Sequence, residues 1–229
     1  MKTIGMIGGM SWESTAIYYR DANELVRDRL GGLHSAKILL ESLDFQQISN
    51  LQNADRWDDA ANILSNTAQS LERAGADIIL ICTNTMHLLI DQVQATVQVP
   101  VIHIADVAGE AAIAQGLTKV GLLGTAFTME KDFYRDRIAA HGLEVIVPGE
   151  EDRGVVHQAI FGELALGVCS EHTRTQFRNI IARLVAQGAQ GIILGCTELE
   201  LLVTQDDSSV PVFPTAKLHV AAAVELALS

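Results

Sequence analysis

Three short strings occur twice along this chain of 229 residues, in the same order. TIGMIGG (3–9) matches KVGLLGT (119–125), LERAGADIILICTNT (71–85) matches LVAQGAQGIILGCTE (184–198), and QVPVIHIAD (98–106) matches SVPVFPTAK (209–217). The offsets are 116, 113 and 111 residues. One such pair could arise by chance, but three pairs in one order argue for two halves built on one plan. A compact domain takes about 100 to 200 residues. With 48% apolar residues, the chain can therefore bury one large core or two smaller ones.

Each string contains an apolar run of strand length. TIGMIGG, KILLESL, DIILICT, VPVIHI, KVGLLGT, LEVIVPG, GIILGCT and VPVFPT alternate with amphipathic segments such as RWDDAANILSNTAQSLERA and HTRTQFRNIIARLVAQ. Continuous apolar strands between amphipathic helices predict α/β structure, with parallel sheets covered on both faces. The expected architecture is two similar Rossmann-like three-layer domains related by pseudo-two-fold symmetry. Residues 1–102 plus 212–229 form the first, residues 103–211 the second, and the active site lies in the cleft between them.

A net charge of −12, with only 19% charged residues, gives no overall attraction to phosphate backbones or anionic lipid. Nucleic acid and membrane are not expected partners. Gly8, Gly9 and the polar residues after them interrupt the apolar N-terminus before a signal segment or a membrane span forms, so a cytoplasmic location is expected. Cys82, Cys169 and Cys196 are an odd number without a CxxC pair, which predicts free thiols, no disulfide framework and no structural zinc.

The repeat decides how the cysteines relate. Aligning Gly75 with Gly188 puts Cys82 on Gly195 and Thr83 on Cys196. Successive strand side chains point to opposite faces, so Cys82 is read as packing and Thr83 as the counterpart of Cys196. Ligands of open α/β sheets gather beyond the carboxyl ends of strands. Four such ends are rich in small polar groups: GGMSWEST, TNTMH, GTAFTME and GCTELE. Hydroxyls and amides of this kind suit a carboxylate, and they also serve as ordinary helix caps.

GMIGGMS is not GxGxxG, and neither GxxxxGK[ST], a nucleophile elbow nor HExxH is present, so nucleotide, serine-hydrolase and metal chemistry lack their usual motifs. Cys196 is the strongest chemical candidate. A thiol where a strand leads into a helix is expected to be acidified by the helix start. Glu198 either orients that thiol or is a solvated first-turn carboxylate. His87, four residues beyond Thr83, either joins the same site or packs. Cys169 belongs to no repeat and no motif.

GMIGGMS (5–11), TNTMH (83–87) and GCTE (195–198), in this order and spacing, resemble the aspartate/glutamate racemase family of cofactor-independent racemases, over essentially the whole chain. The resemblance implies a pseudo-symmetric pair of α/β domains, a homodimer, and a small amino-acid substrate handled without pyridoxal phosphate or metal. It also implies two opposed groups, one removing the α-proton while the other protonates the opposite face. The carried-over catalytic positions are Thr83 and Cys196. Asn84, Thr85, Thr125, Thr128 and Thr197 are expected donors to the substrate α-carboxylate, with Met10, Ser11, Gln47 and Glu198 completing the substrate site. Thr83 departs from the family's first cysteine. Its hydroxyl is a far weaker acid than a thiol, so Cys196 is expected to be the competent base and the two directions unequal. Arg56, Lys131, Arg153 and Lys217 are available cations for a substrate side-chain carboxylate, while a neutral side chain such as that of homoserine stays open. Two other readings are a decarboxylase or cis-trans isomerase of the same superfamily that uses one cysteine, and an amino-acid-binding protein without turnover.

Overall fold

A computed structural model describes all residues, 1–229. Its chain divides into two compact units, Met1–His103 with His219–Ser229, and Ile104–Leu218. In the first, β1 (Ile4–Gly8) leads to α1 (Trp12–Leu30), β2 (Ile38–Ser42), α2 (Phe45–Asn53), α3 (Trp57–Arg73), β3 (Ile78–Ile81) and α4 (Ile90–Gln94). A 3-10 turn, Thr85–Leu89, precedes α4. The second unit begins with α5 (Ile104–Ala114), β4 (Lys119–Gly124), α6 (Ala126–Glu130), α7 (Asp132–Ala139) and β5 (Glu144–Ile146). It continues through α8 (Glu150–Gly162), α9 (Glu171–Ala186), β6 (Ile192–Gly195), α10 (Leu199–Leu202) and β7 (Val212–Pro214). Helix α11 (Thr215–Leu228) closes the chain.

Both sheets are parallel and follow one plan, β2-β1-β3 in the first unit and β5-β4-β6-β7 in the second. The first-unit counterpart of β7 is shorter than VPVIHI predicts, a single bridge from Val101 to Ile79. The contacts around the bridge match those at β7: the Val101 amide donates to Gln94 Oε1 at 2.8 Å as the Val212 amide donates to Gln205 Oε1 at 3.0 Å, and Pro100 O and Pro211 O accept the Ile79 and Ile192 amides. The return to the first unit falls at His219, later than position 212, because Val212–Pro214 pairs with β6.

Alternation along the strands builds the layers. In the second unit, Leu123, Ile192 and Leu194 pack with Phe177, Ile181 and Leu184 of α9, while Val120, Leu122 and Ile193 pack with Ala108 of α5 and Ile138 of α7. In the first unit Ile7, Ile79 and Ile81 join Leu64 and Leu71 of α3 and Val93 of α4. Helix ends follow local chemistry. Ser11 and Ser170 cap α1 and α9, accepting the amides of Ser14 and Thr173. Gly75 and Gly188, the residues that align the two halves, both stand in the left-handed region after their helices, at φ +99° and +96°.

Candidate active site

Strand register fixes which residues are equivalent. In the first unit Ile7 pairs with Ile81, and the Cys82 amide donates to Ile7 O at 2.9 Å, so Cys82 lies opposite Gly8. In the second, Gly124 pairs with Gly195. With Gly8 matched to Gly124 by the repeat, Thr83 and Cys196 are each the first residue beyond the corresponding strand position. Cys82 is fully buried, and burial pushes its thiol up from the ordinary cysteine range. It is packing, as the alternation of strand side chains implied.

At the first unit's strand ends, the β1–α1 turn is closed by its own side chains. The Gly9 amide donates to Thr15 Oγ1 at 2.8 Å, and that hydroxyl donates to Ser11 O at 2.9 Å. Ser14 Oγ donates to Cys82 O at 3.1 Å, joining this turn to the end of β3. Ser11 is buried, Gln47 on α2 is exposed, and Met10 packs in the hydrophobic core. Thr83 is half-buried, while Asn84 and Thr85 are buried at the start of the 3-10 turn. His87 Nδ1–H donates to Thr83 O at 2.8 Å.

In the second unit, Thr125 caps α6 by accepting the Thr128 amide at 3.3 Å, and the two hydroxyls are 3.2 Å apart. Thr128 is fully buried. A Cβ added at Gly124 would meet Gly195 O at 2.8 Å, one at Gly195 would meet Leu122 Cδ1 at 2.9 Å, and both would come within 3.1 Å of Thr128 side-chain atoms, so glycine ends both strands. Cys196 Sγ–H donates to Glu198 Oε2 at 3.0 Å, and Thr197 Oγ1–H donates to the same oxygen at 2.9 Å. The hydroxyl hydrogen of Thr197 is thus directed to Glu198.

This geometry reverses the expected electrostatics of Cys196. Its thiol lies well above the ordinary cysteine range, first through burial and then through the Glu198 charge and hydrogen bond. The amides of Glu198 and Leu199 pull downward but are outweighed. The short helix α10 has too few aligned peptides for its dipole to win. Cys196 rests as a thiol with a carboxylate at its hydrogen.

Two residues near these strand ends escaped the sequence reading. Tyr134 of α7 is fully buried, and its phenol is pushed up by burial, with Glu200 and Cys196 adding to the shift. His157 Nδ1 of α8 accepts the Ala126 amide at 3.2 Å, beside Thr125. Neither carries a local motif; only the packing of α7 and α8 brings them here. Among the expected cations, Arg153 is held by Glu130 Oε1 at 2.9 Å and by Pro148 O at 3.0 Å, while Arg56 pairs with Asp59 at 2.7 Å on the surface. No cluster of three or more His, Cys, Asp or Glu side chains is arranged to hold a metal ion, and no helix is long and apolar enough to cross a membrane.

Comparison with known proteins identifies similar chains. The family model for Asp/Glu/Hydantoin racemase matches residues 7–223. A Yersinia pestis structure provisionally described as an Asp/Glu racemase is 52% identical over 100% of both chains, with a TM-score of 0.94. An aspartate racemase homologue from Pyrococcus horikoshii is 40% identical over 100% of both chains, with a TM-score of 0.88. The broad specificity amino-acid racemase RacX of Bacillus subtilis is 24% identical over 159 residues, 69% of this chain and 68% of RacX. The aspartate racemase of Picrophilus torridus, 18% identical with a TM-score of 0.83 over 99% of this chain and 94% of its own, shares the fold. The duplicated sheet plan, the polar strand ends and the match over residues 7–223 make this chain a member of the Asp/Glu/Hydantoin racemase family.

Proposed function

We propose that the protein is a cofactor-independent amino-acid racemase acting on aspartate, glutamate or a similarly small amino acid, with Thr83 and Cys196 serving opposite faces of the substrate α-carbon. The observation that carries this reading is the register equivalence of Thr83 and Cys196 in two units of one sheet plan. A reaction that moves one proton off one face and another onto the opposite face needs two groups in comparable settings, and a duplicated α/β unit supplies them.

The bond between Cys196 and Glu198 supports a specific order of proton transfers. Glu198 Oε2 takes the thiol proton, and the resulting thiolate removes the α-hydrogen. Thr83 protonates the other face, and its alkoxide recovers a proton from protonated Glu198 through solvent, so no net proton is gained or lost. Starting from the other enantiomer, Thr83 must act as the base. An alcohol without an adjacent base is poor at this, and the two directions are therefore unequal. Asn84, Thr85, Thr125 and Thr128 hold the α-carboxylate, joined by Thr197 once its hydroxyl turns from Glu198 to the substrate, with Ser11, Gln47, Met10 and Glu198 bordering the substrate. This reading takes the enzyme to be cytoplasmic and, on the strength of the family resemblance, a homodimer.

The test is incubation of each enantiomer of aspartate, glutamate and homoserine in deuterated water, followed by proton NMR and chiral analysis. Loss of the α-proton signal with inverted product supports racemisation and identifies the substrate. Turnover of malonates or maleate, with no exchange of amino acids, would assign the chain to the single-cysteine decarboxylases or isomerases instead. Saturable amino-acid binding without exchange would make it a binding protein.

A further inference from the structure

The proposed reaction leaves the imidazole of His87 without a role, and the local chain geometry supplies one. In an α-helix the carbonyl of residue i accepts the amide of residue i+4. The Thr85–Leu89 turn is 3-10, so the His87 amide goes instead to Asn84 O, at 3.1 Å. That deprives the Thr83 carbonyl of its helical partner. The His87 side chain makes good the loss, donating from Nδ1 to Thr83 O at 2.8 Å.

The surroundings fix this imidazole in one form. A carbonyl only accepts, so the proton sits on Nδ1 and the lone pair on Nε2. Nε2 is enclosed and makes no hydrogen bond. The His103 and His219 rings lie 5.0 and 5.4 Å away, centre to centre. His219 is itself tied down: its Nε2–H donates to Ile102 O at 2.9 Å, and Tyr18 OH donates to its Nδ1 at 2.9 Å. Burial, then the neighbouring rings of His103 and His219, hold His87 well below the ordinary histidine range. The Thr83 and Ile102 carbonyls oppose this but are outweighed. His87 is therefore neutral, with its donor locked toward one oxygen.

We propose that His87 is a positioning residue, whose Nδ1–H fixes the Thr83–Asn84 peptide and thereby the aim of the Thr83 hydroxyl. The proposal rests on the reading of Thr83 as the proton-transfer group of one face. His87 acts through Thr83 and makes no contact with the reacting atoms.

Two substitutions separate the hydrogen bond from the bulk. His87→Asn places an amide N–H near the position of Nδ1, and His87→Phe keeps a ring without a donor; His87→Leu repeats the second comparison with less bulk. α-Proton exchange is measured for each enantiomer separately in deuterated water, and Thr83→Ala identifies the direction that depends on Thr83. His87→Asn is expected to stay within about two-fold of the unsubstituted enzyme in both directions. His87→Phe and His87→Leu are expected to lose about ten-fold or more in the Thr83 direction alone. Equal losses for Asn and Phe in both directions, or no loss with Phe, would overturn the proposal. The Asn84 amide resonance, whose nitrogen is bonded to the Thr83 carbonyl carbon, gives an independent readout. It is expected to hold in His87→Asn and to move in His87→Phe and His87→Leu, and an unmoved resonance in the latter two would also overturn the proposal. Absence of exchange in the unsubstituted protein together with that movement would remove the racemase reading and leave the hold on Thr83 standing.

Discussion

Cys196 gives its thiol hydrogen to Glu198 Oε2 at 3.0 Å, so this buried thiol rests beside a negative charge that keeps it protonated. That pairing makes Cys196 ready to donate a proton and makes its action as a base depend on Glu198.

Glu198→Gln separates these effects. Removing the charge is expected to let the Cys196 thiol titrate at lower pH, while α-proton abstraction falls by about ten-fold or more because the proton acceptor is gone. Thiolate ultraviolet absorbance in a Cys169→Ser background, alongside exchange rates, checks both. A thiol that titrates unchanged would contradict the electrostatic role of Glu198.

Thr83→Cys supplies a thiol where the repeat places its counterpart. Exchange in the direction that depends on position 83 is expected to rise about ten-fold or more, narrowing the gap between the two enantiomers. Thr83→Ala should abolish inversion while sparing exchange that Cys196 performs alone. Equal rates for threonine, cysteine and alanine at this position would remove it from the mechanism. Exchange lost in Cys82→Ser but retained in Thr83→Ala would move the first site to Cys82.

The buried histidines predict how stability responds to pH. Burial lowers His219 to about 3, and His87 is also held well below its ordinary value. The unfolded chain takes up these protons below about pH 6.5, whereas the folded chain does not. Stability is therefore greatest above that pH and declines as pH falls toward the folded values. The slope is about 1.4 kcal/mol per pH unit for each histidine. Urea unfolding between about pH 5 and 7 measures the slope, and His219→Gln should reduce it by one proton.

Gly9 is a further sensitive point. It stands at φ +84°, and a Cβ there would meet Leu43 O at 2.2 Å and Leu43 N at 2.5 Å. Gly9→Ala is expected to destabilise the fold by about 2 kcal/mol or more, since both conformation and space exclude a side chain. Gly31→Ala is the control: it shares the positive φ, but no atom lies within 4 Å of its added Cβ. A thermal melt in which the two lose equal stability would show that the Leu43 contact does not matter.

The sequence made the duplicated sheets legible because each strand is an apolar run and each half marks a helix end with a glycine, Gly75 or Gly188, that the fold requires at positive φ. The pairing of Thr83 with Cys196 followed from those glycines and agrees with the strand register. The electrostatics of Cys196 were not legible. A strand-to-helix position announces a dipole, but only packing reveals that the thiol is buried and that Glu198 turns back onto it. Tyr134 and His157 stayed hidden because no periodic pattern links them to the strand ends.

The most direct measurement of the central claim is exchange of the α-proton of each enantiomer in deuterated water by the unsubstituted protein, Cys196→Ala and Thr83→Ala, followed by chiral analysis. The account predicts exchange with slow inversion in the unsubstituted protein. It predicts loss of the Cys196-dependent exchange in Cys196→Ala, by about a hundred-fold or more, and loss of inversion with surviving exchange in Thr83→Ala. Folded Cys196→Ala protein that exchanges and inverts both enantiomers at the unsubstituted rate would contradict it.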